Sequence, residues 1–195
     1  MKLTYTIRIS LTCAVLLLLQ LGATAQTKAP VAEQETTVLK ASGSKTGLSL
    51  GLSAAESADH TTLLQLLKAS DLLKKANDKG PYTVFAPTNA AFTQLPDGEL
   101  SDLLLPSSKQ RLIQFLAYHV VKGRITSDQL KDGQSLTNLA GQILIVHKQG
   151  SDITIKDGRG TVAEVLQADV RATNGVVYSV NRVLQRVVNK GPIVR

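Results

Sequence analysis

Thr83-Val84-Phe85-Ala86-Pro87-Thr88-Asn89-Ala90-Ala91-Phe92 is the stretch around which the rest of the chain is organised. β-Branched and aromatic residues from Tyr82 to Ala86 predict a short strand. Pro87 ends it, because a residue without an N–H cannot donate to a ladder and holds φ in a turn-compatible range. Thr88 then stands where a hydroxyl accepts from a free N–H of the first helical turn, so a short helix is expected over residues 89–94. Phe85 and Phe92 are candidate core residues on either side of this turn, and Pro87, Thr88 and Asn89 build the turn and cap.

On the N-terminal side, Gly80-Pro81 closes a helical segment expected over residues 60–76 and capped by Asp59. Leu63, Leu64, Leu66, Leu67 and Leu73 recur there at three- and four-residue spacing, forming one apolar stripe. On the C-terminal side, Pro96-Asp97-Gly98 breaks the chain and a short helix is expected over about 99–104. Ser107 or Ser108 caps a longer helix whose inner face carries Leu112, Ile113, Phe115, Leu116 and Val120. After Gly123 the period changes. Residues 143–147 form a strand, Gly150-Ser151-Asp152 a turn, and Ile153 and Ile155 alternate with polar neighbours. Asp157-Gly158-Arg159-Gly160 is a hairpin signal. Residues 161–170 continue extended, with a break near Gln167. Asn174-Gly175 forms a tight turn, since both residues tolerate positive φ, and residues 176–184 are β-rich. Helices first and antiparallel strands second imply an α+β domain and not a doubly wound parallel sheet.

The first residues read as an export signal. Lys2 and Arg8 precede an apolar run over 9–21, and Ala23-Thr24-Ala25 is a small-x-small cleavage site, so residues 1–25 are expected to be removed and Gln26 to lead the mature chain. A retained anchor is the alternative, but the run is shorter than the roughly 20 residues a spanning helix needs. Residues 26–55 have the flexible composition of a linker, notably over 41–47. Alternation of Leu48, Leu50 and Leu52 leaves a short strand as the other reading. The folded domain is expected over 56–190, followed by a short basic tail at 191–195.

Composition excludes several chemistries. The single cysteine, Cys13, falls in the signal segment, so the mature chain has no thiolate nucleophile, thiolate metal site or disulfide. His60, His119 and His147 lie at no metal-ligand spacing. No nucleophile elbow or phosphate loop is present, and the overlapping Ser42-Gly43-Ser44-Lys45 and Lys45-Thr46-Gly47 runs sit inside flexible sequence. Neither a catalytic residue nor a cofactor or metal is expected. The net charge of +7 is unevenly placed. Residues 171–195 contain Arg171, Arg182, Arg186, Lys190 and Arg195 and no acid. Arg182, Arg186 and Lys190 recur every fourth residue and would share one face of a continuous helix or strand. Such a patch attracts anionic partners. Export and a low aromatic content direct this towards acidic polysaccharide, lipid head groups or envelope polymers, not nucleic acid.

Three ordered segments resemble the fasciclin-type domain family. Residues 83–92 are similar to its first signature, Tyr118-His119-Val120-Val121 to its central segment, and residues 174–184 to its second signature. The likeness spans about residues 56–188. It implies a twisted, wedge-like β-sandwich with several helices against it, and a non-catalytic extracellular adhesion or binding module. Taken with the basic C-terminal charge, the expected partner is an extracellular or cell-surface protein or acidic polysaccharide. The alternative is a periplasmic small-molecule or glycan-binding protein using a cleft between sheet and helices; the third possibility is an enzyme of a kind new to this fold. The second signature often has histidine at Tyr178, an acid at Asn181 and proline at Arg186, so this chain departs from it at three positions. Candidate binding residues are Tyr118, His119, Asn174, Tyr178, Arg182, Arg186 and Lys190, with Gly175 structural. His119 ends an apolar helix face and is expected to be buried and hydrogen-bonded, as buried polar groups are.

Overall fold

The computed structural model describes residues 45–77 and 80–186. The export segment, the start of the expected linker, Lys190 and the 191–195 tail lie outside the described residues.

Helices α1 (Leu50–Glu56), α2 (Thr61–Ala69) and α3 (Leu72–Lys75) precede strand β1 (Tyr82–Pro87). The helix expected over 60–76 is therefore interrupted. Ser70 turns its hydroxyl back onto the Leu67 carbonyl at 3.0 Å. Asp71 then takes a left-handed conformation, φ 58°, which ends one helix and starts another. Asp59 lies in a 3-10 turn and not at a cap. By contrast Thr88 caps α4 (Asn89–Phe92) as expected, its hydroxyl accepting from Ala91 N at 3.3 Å. Helices α5 (Glu99–Leu104) and α6 (Lys109–Tyr118) follow, but α6 ends before Val120, which was expected on its inner face and instead opens the next strand, and Ser108 stands at the start of α6 without a side-chain capping bond.

Part of the expected linker belongs to the domain. Thr46 N donates to Arg171 O, Thr173 N to Leu48 O, and Leu50 N to Asn174 Oδ1. Ser49 caps α1, and Leu50 is buried. Glycine-rich composition signals backbone freedom, but two leucines and three long-range hydrogen bonds are enough to fix residues 46–50 on the fold.

Strands β2 (Val120–Lys122), β3 (Ser135–Thr137), β4 (Ile143–Gln149), β5 (Asp152–Lys156), β6 (Val162–Ala172) and β7 (Gly175–Val180) complete the chain. With β1 they form one seven-stranded sheet in the order β2-β1-β7-β6-β5-β4-β3. A bridge between Val121 and Asn138 and a bond from Leu139 N to Val120 O join its two ends, so the sheet curls into a near-barrel. The β1–β7 ladder is parallel and every other ladder is antiparallel. The break expected near Gln167 is a real irregularity: the β6–β7 register shifts on both sides of it, and Asp169 takes φ 57°. This bend lets the eleven-residue β6 serve both halves of the sheet. The β-rich run expected to reach Leu184 stops as a strand at Val180.

Alternation along β1 and β7 divides the interior in two. Phe85, Val176 and Tyr178 join Tyr118, Leu144, Val146, Ile155 and Leu184 inside the barrel. Ala86, with Val84 and Val177, meets the helical layer of Leu63, Leu66, Phe92, Leu112 and Leu116. Both faces of the two central strands are thus apolar. No helix among the described residues is long and apolar enough to cross a membrane.

Candidate functional site

His119 follows the last residue of α6, where the helix meets β2, and is 2% exposed. Its Nδ1 lies 2.9 Å from Phe115 O and its Nε2 receives Leu184 N–H at 3.1 Å. A carbonyl accepts and an amide donates, so these partners fix the neutral Nδ1–H tautomer. Burial holds the imidazole pKa down to about 4, against weaker opposing effects of the Phe115 carbonyl and Asp157. The expectation of a buried, satisfied histidine holds.

Tyr118 is also buried, and its hydroxyl accepts from Gly158 N at 3.2 Å. Burial, chiefly, raises its pKa. Gly158 belongs to the hairpin predicted at 157–160. Asp157 anchors that hairpin: one carboxylate oxygen accepts from Arg159 N and Thr161 N, the other from Gln185 N at 2.7 Å. The result is a cleft of about 60 Å³ over Tyr118, walled by Arg111, Arg159 and Arg186 with Glu99 as its one acid. Arg111 donates to Glu99 at 3.3 Å, and Arg186 donates to Gln114 on α6. Arg111 and Arg159 escaped the sequence reading because they sit 48 residues apart in sequence, on a helix and a hairpin.

The remaining candidates are dispersed. Tyr178, buried inside the barrel, directs its hydroxyl at Ile125 O (2.9 Å) and Asp169 Oδ1 (3.1 Å). Asp169 also accepts from Ser127 N and the Ser127 hydroxyl. Burial first, then the neighbouring Asp169 charge, raises the Tyr178 pKa. Asn174 accepts from Leu50 N and donates to Ala76 O, tying α1 and the end of α3 to the β6–β7 turn. Neither Asn174 nor Gly175 has positive φ. Gly175 is required for another reason: a Cβ there would lie 2.2 Å from Tyr82 O. Arg182 is exposed and, like Arg186, lies beyond the last strand, so four-residue spacing does not project the two from one regular face.

A second, larger feature lies on the other side of the sheet. Val120, Val84, Val177 and Val170 occupy one cross-strand row over β2, β1, β7 and β6. Ala86, Ser179 and Gln167 form the neighbouring row. This floor and helices α1, α2, α3 and α6 enclose a cavity of about 330 Å³, with half-exposed Leu139 among its walls. Among the described residues no Asp, Glu, Lys or Arg lines it. Its main polar feature is a chain of three side chains: Ser57 Oγ is 2.7 Å from His60 Nδ1, and Ser179 Oγ is 3.2 Å from His60 Nε2. Burial lowers the His60 pKa, opposed by Asp59 and the Ala86 backbone. Serine at Nδ1 offers no negative charge to stabilise an imidazolium, so the pair lacks what a serine–histidine nucleophile needs. Sequence reading proposed a cleft between sheet and helices but assigned none of these residues to it, although His119, named there as a candidate binding residue, also lines the cavity. The available signal was the apolar character of both faces of β1 and β7.

Among the described residues no group of three or more metal-ligating side chains comes together. The Fasciclin domain pattern matches residues 58–186. Protein sll1483 of Synechocystis sp. is 39% identical over 160 residues, covering 79% of this chain and 84% of that protein. Immunogenic protein MPB70 of Mycobacterium bovis is 34% identical, over 69% of this chain and 67% of its own. Transforming growth factor-beta-induced protein ig-h3 of Sus scrofa is 34% identical over 66% of this chain but only 18% of its own length. A solved FAS1 domain pair from the insect cell adhesion molecule Fasciclin I shares the fold, with TM-score 0.50 and 24% identity over 64% of this chain and 44% of that one. Fasciclin domains act as non-catalytic adhesion or binding modules, and by signatures, fold and relatives the chain belongs to the fasciclin domain family.

Proposed function

We propose that the chain is exported and works at the cell surface, in the periplasm or outside the cell as an attachment module for acidic polysaccharide. The observation that supports this is the cleft over Tyr118, where three arginines face one acid. Arginine's planar fork matches carboxylate and sulfate geometry, and a concave cationic site raises the local concentration of an anionic polymer. The cleft keeps Tyr118 and Arg186 from the sequence-based set and adds Arg111 and Arg159.

The test is binding of the mature chain, residues 26–195, to immobilised alginate and heparin across a salt series. Binding that weakens with salt and disappears in an Arg111→Gln/Arg159→Gln/Arg186→Gln variant supports the proposal, with Arg182→Gln as a control that retains it. Undiminished binding by the folded triple variant would overturn it. N-terminal sequencing of the exported protein tests the export step: Gln26 is the expected first residue, and a full-length chain in the membrane fraction contradicts it. The cavity favours a second reading, a small-molecule-binding role for the same domain.

A further inference from the structure

We propose that the cavity between the helices and the valine row binds an uncharged, largely hydrocarbon molecule that presents a single oxygen acceptor to the Ser57–His60–Ser179 chain. This rests on the small-molecule reading and gives that reading its ligand chemistry. The volume of about 330 Å³ falls at the lower end of the roughly 300–1,000 Å³ typical of small-molecule sites. Water fills the part of this space over the valines poorly, because a water needs two to four polar partners and the Val120–Val84–Val177–Val170 row supplies none. Those four valines would lose their contact with water to an apolar guest.

Charge and hydrogen counting set the rest of the chemistry. An ionised guest would need a counter-charge, since an unpaired buried charge is costly. Among the described residues the lining holds no acid, lysine or arginine, and its two histidines, His60 and His119, are both disfavoured as cations by burial. The neutral His60 ring has one N–H and contacts two serine hydroxyls. Only the ring nitrogen without a hydrogen can accept, so at most one of the two contacts uses a serine hydrogen. Whichever tautomer forms, one of the two hydroxyl hydrogens is not used by the ring, and both serines line the cavity. A carbonyl, ether or hydroxyl oxygen on the guest accepts that hydrogen.

NMR titration of the mature chain with three probes of one shape tests this: butyrophenone, butylbenzene and 4-phenylbutyrate. The ketone is expected to bind about 5–10-fold more tightly than the hydrocarbon, the worth of one net hydrogen bond, and the carboxylate more weakly than the ketone. Shifts should centre on Val84, Val177 and Ser179. A Ser57→Ala/Ser179→Ala variant should bring the ketone down to the hydrocarbon's affinity without changing the hydrocarbon's. Val177→Phe should abolish binding of both in a folded protein. Equal affinity of ketone and hydrocarbon, or a ketone affinity untouched by removing both serines, overturns the acceptor assignment while leaving the cavity reading standing. Absence of binding by all three probes to the folded protein overturns both.

Discussion

Strands β1 and β7 have two interiors, one on each face, and the two are built differently. On the barrel side Phe85 and Tyr178 pack 5.6 Å apart, centroid to centroid, and both are fully buried. Polar groups there are tightly paired: Asp169 takes both Ser127 donors and lies within reach of the Tyr178 hydroxyl. On the helix side the facing residues are Val84, Val177 and Ser179, and space remains above them. The same two strands supply both faces, so the difference lies in side-chain size and in what covers them. Large aromatics fill the closed face, whereas small β-branched residues under short helices leave a hollow. One face is filled and the other is left hollow.

The comparison breaks most visibly at Asp169. Asp169→Ala leaves the Ser127 amide and hydroxyl without their acceptor, while the Tyr178 hydroxyl keeps Ile125 O, and should cost about 2–4 kcal/mol, read from the urea midpoint. If it costs no more than a change on the cavity side, the two faces are energetically alike and the contrast fails.

Acid gives the next largest effect. His119 is neutral when folded, with its pKa held at about 4, and near 6.5 when unfolded. Between those values the unfolded chain binds the extra proton, so stability is fully present above about pH 6.5 and declines as pH falls towards 4. About 2 kcal/mol should be lost between pH 7 and pH 5. His60 pulls in the same direction. His119→Ala should cost about 1–3 kcal/mol at pH 7, by orphaning Leu184 N–H, and should flatten the pH dependence over this window. An unchanged slope in the variant would show that His119 is not the titrating group.

Substitutions on the helix side should be the mildest. Ser179→Ala should change stability by less than about 1 kcal/mol, since the lost partner borders open space. Val177→Phe adds bulk to a hollow and not to a filled core, so thermal melting should report a change within about 1 kcal/mol, where overpacking a dense core costs about 1–3. A severe loss in Val177→Phe would mean that the cavity is closed in solution.

Local features were legible from sequence where one residue decides the outcome. Thr88 as cap, Pro87 as strand end and the 157–160 hairpin follow from the chemistry of the residues that make them. The α+β order followed from the change of period after Gly123. Features set by distant neighbours were not legible. Nothing near Tyr82 announces that β1 pairs in parallel with β7. Gly175 resembles a turn glycine, yet its requirement comes from Tyr82 O across the ladder. Residues 46–50 looked unstructured because their anchors, Arg171, Thr173 and Asn174, lie more than 120 positions away. The cavity was invisible residue by residue, since each valine in its floor is ordinary for a strand.

The parallel β1–β7 ladder also sets an order of events. Synthesis delivers β1 nearly a hundred residues before β7, and β1 has β7 as its parallel neighbour. Until β7 has emerged, β1 can pair only with the three-residue β2, and the Asn174 tie between α1, α3 and the sheet cannot form. Contacts this far apart in sequence close late and slowly. A chain with this topology cannot complete the β1–β7–β6 part of its sheet from a partial length, so that part stays open for as long as β7 is still being made.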